Sequence, residues 1–234
     1  MDLFEVGEAA STEIAALAEN GNGDPLVALA TAAGATVVAH DAPILPGESA
    51  TLSISASSGM YLSAAFMLIC TNDGFSGLDS AVLPASGSTT VDANAYDAGS
   101  EMNTEDFADI VPPCQTLIGV MSDDDGTGAM NPDLAEGGVI TMHSGIQGGY
   151  DLTVADHGWS NPVARITITA GDSMMSDSMM DGDSMDSMDK SLPSAGTGPI
   201  DSSNSLVWVY AVAIAGAALV IAGCAALVAR SRAN

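Results

Sequence analysis

Met60-Tyr61-Leu62-Ser63-Ala64-Ala65-Phe66-Met67-Leu68-Ile69 runs without a charge into Cys70-Thr71-Asn72-Asp73-Gly74-Phe75. The apolar stretch reads as one long strand, and the Asn-Asp-Gly behind it as the turn at its end. A second loop of the same kind follows at Tyr96-Asp97-Ala98-Gly99-Ser100-Glu101. Each loop sets short carboxylates beside a glycine, where the backbone can turn sharply and aim several oxygens at one point. A hard cation such as calcium needs that arrangement, because it takes about 6–8 oxygen ligands in a flexible shell. No basic residue stands nearby to neutralise these acids; the nearest Lys or Arg in the sequence is Arg165.

Around this strand and its loops the pattern is mainly β. Thr36 to His40 is a candidate strand. Pro46-Gly47 turns into Ala50 to Ala56, where Leu52, Ile54 and Ala56 alternate with Thr51, Ser53 and Ser55. Val139 to His143 and Val163 to Thr169 complete the set. Two helices precede the strands. Ser11 is a candidate N-cap for a helix to Asn20, stopped by Gly21-Asn22-Gly23, and Asp24-Pro25 offers an N-cap and an N1 proline for a short helix to Ala33. Short strands between Gly- and Asp-rich loops predict a β-sandwich over residues 1–170 with a short helical insertion near the N-terminus.

Among 234 residues, 4 are Lys or Arg and 30 are Asp or Glu, for a formal net charge of −26. Phosphate contacts need clustered cations, so a nucleic-acid partner is excluded. Bare anionic lipid would repel the chain, although calcium reverses the local sign. An acidic surface on a chain that is 47% hydrophobic fits salty or extracellular surroundings, or plain solubility through self-repulsion.

Leu206 to Ala229 is an unbroken apolar run of 24 residues, longer than the roughly 20 that cross a bilayer as a helix. Trp208 and Tyr210 stand where an interfacial aromatic belt belongs, and Arg230 and Arg232 follow at once. The positive-inside rule puts residues 230–234 in the cytoplasm and everything before the span outside, a single-pass cell-membrane protein. Met1 to Val6 is not an export signal, having neither a basic start nor an apolar stretch. Residues 171–205 form a low-complexity stalk rich in Met, Asp and Ser, with no periodic apolar face, and read as disordered. Its Met pairs offer thioether sulfur to soft Cu(I), so a metal-buffering surface protein acting through the stalk is the alternative function. Leu192-Pro193-Ser194-Ala195-Gly196 resembles a sortase sorting signal with Ala195 where Thr is usual; a linker turn is the simpler reading.

Cys70 and Cys114 lie in the expected exterior. In an oxidising compartment they either pair, tying the first acidic loop to the segment after the second, or stay as two separate buried thiols. Cys224 falls within the apolar run.

Several segments together resemble the spondin domain, the N-terminal domain of F-spondin-like matrix proteins and of many microbial surface proteins. They are Phe4-Glu5-Val6-Gly7-Glu8-Ala9-Ala10-Ser11, Ile14-Ala15-Ala16-Leu17-Ala18-Glu19-Asn20-Gly21, the two acidic loops with Met102-Asn103, Met142-His143-Ser144-Gly145, and Pro162-Val163-Ala164-Arg165-Ile166-Thr167-Ile168. The resemblance implies a variant of the C2 β-sandwich with calcium held by loops at one end. Its metal-binding positions carry over to Asp73, Asp97 and Glu101, with Ser100 where the family has Thr. It also implies a strand before the Phe-Glu-Val-Gly segment, so the chain as given looks N-terminally truncated, which would account for the absent export signal. From the residues alone, the same three acids either converge with carbonyls and water on one ion, or cap turns and face solvent.

Asp123-Asp124-Asp125-Gly126-Thr127-Gly128 looks like part of an EF-hand loop, but Met121 and Pro132 occupy the first and last ligand positions. It reads as a solvated turn, with a weak secondary cation site the alternative. No Gly-x-Ser-x-Gly elbow, His-Glu-x-x-His or phosphate loop with Lys is present, and His40, His143 and His157 are scattered singly. The expectation is therefore not an enzyme but a membrane-anchored, calcium-binding adhesion or interaction module. Its partners would be matrix polysaccharide, another surface protein, or lipid headgroups bridged by the ion.

Overall fold

The computed structural model describes residues 2–40, 42–126, 131–171, 205–213, 221–222 and 227–230. The architecture is mainly antiparallel sheet with a few helices. Helices α1 (Thr12–Asn20) and α2 (Asp24–Ala32) come first, then strands β1 (Thr36–Val38), β2 (Ser49–Ala56), β3 (Tyr61–Leu68), β4 (Gly74–Val82) and β5 (Ser88–Asp97). A short helix α3 (Pro113–Ile118), the two-residue strand β6 (Thr141–Met142), a single turn α4 (Val154–His157) and strand β7 (Ala164–Ala170) follow.

α1 ends as its sequence reads. Ser11 Oγ accepts from the Ile14 N–H at 3.2 Å, and Gly21 closes the helix in the left-handed conformation, its N–H bonded to Leu17 O. α2 differs by one position: Gly23 is the N-cap and makes no side-chain bond, while Asp24 lies in the first turn beside Pro25. There Asp24 still favours the helix through its charge at the positive end of the dipole.

β3 is the centre of the fold. Tyr61 aside, all of it is buried, and the two-residue period sends its side chains to different cores. Leu62, Ala64, Phe66 and Leu68 join Ile54 and Ala56 of β2, Leu78 of β4, Ala93 and Ala95 of β5 and Ala164, Ile166 and Ile168 of β7. Ala65 faces the other way, onto Ile14, Leu17, Leu26 and Ala30 of the two helices. Met67, with Ile69 just beyond the strand, enters a third cluster with Phe107, Ile110 and Cys114. A strand covered on both faces must be apolar throughout, which is why this run shows no alternation.

β4 and β5 were not apparent as strands in the sequence. β4 reads Gly-Phe-Ser-Gly-Leu-Asp-Ser-Ala-Val, yet its first five residues are buried. Small residues stand there because the backbones meet closely: a Cβ on Gly77 would lie 2.1 Å from Ala64 O. β5 serves two ladders. Asn94–Asp97 pairs with Gly77–Gly74 of β4, and Ser88–Ala93 pairs with Thr169–Ala164 of β7. The strand expected over Val139–His143 is reduced to β6, which pairs with Tyr96 and Asp97 at the sheet margin.

A disulfide joins Cys70, at the end of the β3 segment, to Cys114 in α3. Among the described residues no helix is long and apolar enough to cross a membrane. Of the apolar run over 206–229, the described parts are strand: β8 (Ser205–Ala213) lies between β7 and β2, while β9 (Ile221–Ala222) and β10 (Leu227–Arg230) pair with β3. Alternating Val with Trp and Tyr at 207–210 suits a strand locally. The rest of the expected span, nearly all of the stalk and the sorting-signal-like segment at 192–196 lie outside the described residues.

Candidate metal centre

The turn after β3 is locked by its own first residue. Thr71 Oγ1 donates to Leu68 O at 2.6 Å and accepts from the Gly74 N–H at 2.9 Å. Gly74 is required here, since a Cβ would sit 2.3 Å from Thr71 Oγ1. This closed turn projects Asp73 toward the Ser100–Glu101 end of the second acidic loop and Asn72 toward the residues just after it. Asp73 Oδ2 accepts from the Ser100 N–H at 2.7 Å, the Glu101 N–H at 3.0 Å and Ser100 Oγ at 3.2 Å. Asn72 Oδ1 accepts from the Thr104 N–H at 3.0 Å and the Glu105 N–H at 3.4 Å.

The second loop is shaped by its own aspartate and by a neighbouring segment. Asp97 Oδ1 accepts from the Gly99 N–H at 2.7 Å, and Asn103 Nδ2 donates to Asp97 Oδ2. Gly99 has φ +66°, and a Cβ there would meet the Val139 backbone at 2.7 Å. Strand-like bonds from Gly138 to Gly99 O and from Glu136 to Ser100 O hold residues 136–138 alongside. Glu101 Oε1 accepts from the Asn131 N–H at 3.0 Å.

Asp73 and the Asp97–Glu101 loop are thus adjacent, and their acids feel one another. Asp73 is fully buried; that burial, with the Asp97 charge adding to it, pushes its carboxyl up to about 6 against the bonds from Ser100 and Glu101. Glu101, also buried, is pushed up to about 7, first by burial and then by Glu19, Asp73 and Asp109. Asp73 Oδ1 has no hydrogen-bond partner. A buried acceptor without a donor costs about 1–3 kcal/mol, and here it belongs to an anion with other anions around it. The donor set is oxygen only, which fits a hard divalent cation. Asp73, Asp97 and Glu101 do not, however, have ligand oxygens all within 4.8 Å of one another; among the described residues that separation is met by Asp106, Asp124 and Asp151.

The Asp123–Asp125 stretch is exposed, as a solvated turn would be, and it brings one member of this group. Asp124 comes from it, while Asp106 and Asp151 arrive from distant segments. Asp106 Oδ1 already accepts from the Ala108 N–H and Asp151 Oδ2 from the Phe107 N–H, both at 2.9 Å. No spacing rule within the loop would have named those two.

Glu105, Glu19 and His143 were also not singled out from the sequence as parts of this region. Glu105 sits at φ +59°, a left-handed conformation unusual for a glutamate. Its Oε2 accepts from the Gly149 N–H at 2.7 Å and its Oε1 from the Gln147 N–H. His143 accepts from the Gly145 N–H at 3.0 Å through Nδ1, and its ring lies 5.0 Å from that of Trp159. Burial lowers its affinity for a second proton, opposed by Asp97 and Glu105. Both residues line a cavity of about 10 Å³ with Asn72, Asn103 and Cys70, the size of one water molecule.

No family model, curated protein or solved structure matches this chain.

Proposed function

We propose that this chain is a membrane-anchored, extracytoplasmic calcium-binding adhesion or interaction module, built on a spondin-like β-sandwich of C2 type. One observation carries the calcium reading: Asp73 is fully buried, bonded through one oxygen only to the loop bearing Asp97 and Glu101, and its other oxygen lacks a donor. A cation there would neutralise clustered anions and satisfy that oxygen in one step. A divalent ion would have to draw the three carboxylates closer together than they stand here.

The sandwich reading is supported by the shared core, in which β2, β5 and β7 pack their inner residues against β3. Calcium's part would be structural. It would fix the two loops against each other and so present a defined surface to matrix polysaccharide, a surface protein or lipid headgroups. The Cys70–Cys114 bond suits an oxidising compartment.

Isothermal calorimetry with calcium, on the wild type and Asp97→Ala, tests the site: saturable binding in the first and at least tenfold weaker binding in the second are expected. Equal melting of the wild type in calcium and in chelator would defeat it. A calcium-dependent cell-aggregation assay tests the adhesive role, and aggregation unchanged by deletion of residues 1–170 would remove that role.

A further inference from the structure

Glu19 stands in the last turn of α1, a costly place for a carboxylate. It is only 8% exposed. The helix dipole presents its negative end there, and no basic residue lies in that turn to offset it. Its charge acts on Glu101, so an acid from the helix faces an acid from the second loop. Its Oε2 is buried without any hydrogen-bond partner. Burial raises the Glu19 carboxyl, opposed by Ser100, whose hydroxyl lies 3.2 Å from Asp73 Oδ2, so Glu19 and Asp73 both lie beside this serine.

Two buried carboxylate oxygens in this corner, Glu19 Oε2 and Asp73 Oδ1, therefore accept nothing. A water donating to either would leave the clustered charge uncompensated. A glutamine at 19 would keep the serine contact without these penalties. We propose that Glu19 is a ligand of the same divalent cation as Asp73, Asp97 and Glu101, so that the metal fastens α1 to the two acidic loops. This rests on the calcium reading above and adds a ligand from an element that the resemblance does not assign to the metal. Because Ile14 and Leu17 of α1 are anchored in the helix–sheet core, ion binding would couple the loops to that core.

The test uses the full chain in detergent, with calcium alone and terbium alone as probes, and the variants Glu19→Gln, Glu19→Asp and Asp73→Asn. Glu19→Gln is expected to weaken calcium binding about tenfold or more, since affinity follows ligand charge, and to melt no lower than the wild type in chelator. Terbium bound to it should hold about one more water, read from luminescence lifetimes in H₂O and D₂O, as a lost carboxylate ligand is replaced by solvent. Glu19→Asp, with a shorter reach, should fall between, and it is the variant to read if Glu19→Gln does not fold. Wild-type calcium affinity in Glu19→Gln alongside lost binding in Asp73→Asn would keep the site and remove Glu19 from it. Weakened calcium binding with unchanged terbium hydration would also overturn the proposal, since Glu19 would then act only through its charge. If the wild type itself binds no calcium, this inference and the proposed function fall together.

Discussion

Asp73→Asn separates a metal ligand from a turn-capping residue. In the folded protein the Asp73 carboxyl is lifted from its ordinary 3.8 to about 6. Keeping it ionised at pH 7.5 therefore costs the fold about 3 kcal/mol, at 1.36 kcal/mol per pH unit. An asparagine keeps an oxygen for the Ser100 and Glu101 N–H groups and turns an amide donor toward the acids, where Oδ1 has no partner. In chelator, Asp73→Asn should thus melt above the wild type, by up to about 6–12 °C for a domain of this size. Calcium should reverse the order. At 1,000 times Kd the wild type gains about 4 kcal/mol by mass action, whereas the variant gains little. Differential scanning calorimetry across a calcium series gives both halves. Were Asp73→Asn destabilised equally with and without calcium, Asp73 would be a cap for the second loop, and the metal argument would fail.

The same carboxyls set a pH dependence. Glu101, raised to about 7, and Asp73, raised to about 6, hold protons in the folded state that the unfolded chain has already released. In chelator, stability should be highest near pH 4, fall as pH rises toward 7, and level off above it; saturating calcium should flatten that slope, as urea titrations at stepped pH would show. Replacing Cys70 and Cys114 by alanine opens a closure of 44 residues and should cost about 4 kcal/mol on the chain-entropy account, read as a lower urea midpoint with a steeper slope as the freed unfolded chain exposes more surface. Gly77→Ala should abolish folding or cost more than about 3 kcal/mol, because its Cβ would meet Ala64 O at 2.1 Å. Gly59→Ala, with open space and φ +79°, should lose only about 1–2 kcal/mol; comparable losses at the two glycines would refute the close approach of β3 and β4.

Some of this was readable from the chain and some was not, for physical reasons. α1 was legible at both ends because capping is local: Ser11 and Gly21 act on groups three or four residues away. β3 was legible because burial on both faces leaves a continuous apolar run. β4 and β5 were not, because their fitness is relational. Gly77 is there to admit the Ala64 backbone and Gly74 to admit the Thr71 side chain, and no periodicity records that. The candidate centre divides the same way. Asp73, Asp97 and Glu101 stand out beside glycines in sequence. Glu19 and Glu105 look like ordinary surface acids until folding buries them, and Asp106 and Asp151 join Asp124 only through the packing of separate loops.

β5 gives its first six residues to one neighbour and its last four to another. Neither ladder can then peel away without disturbing the chain that the other depends on. Amide hydrogen exchange should therefore find β4, β5 and β7 opening at one common free energy, as a single cooperative unit. The Asp97 end of β5 would inherit that rigidity, so an ion arriving at the proposed site would meet a loop whose base is already held still.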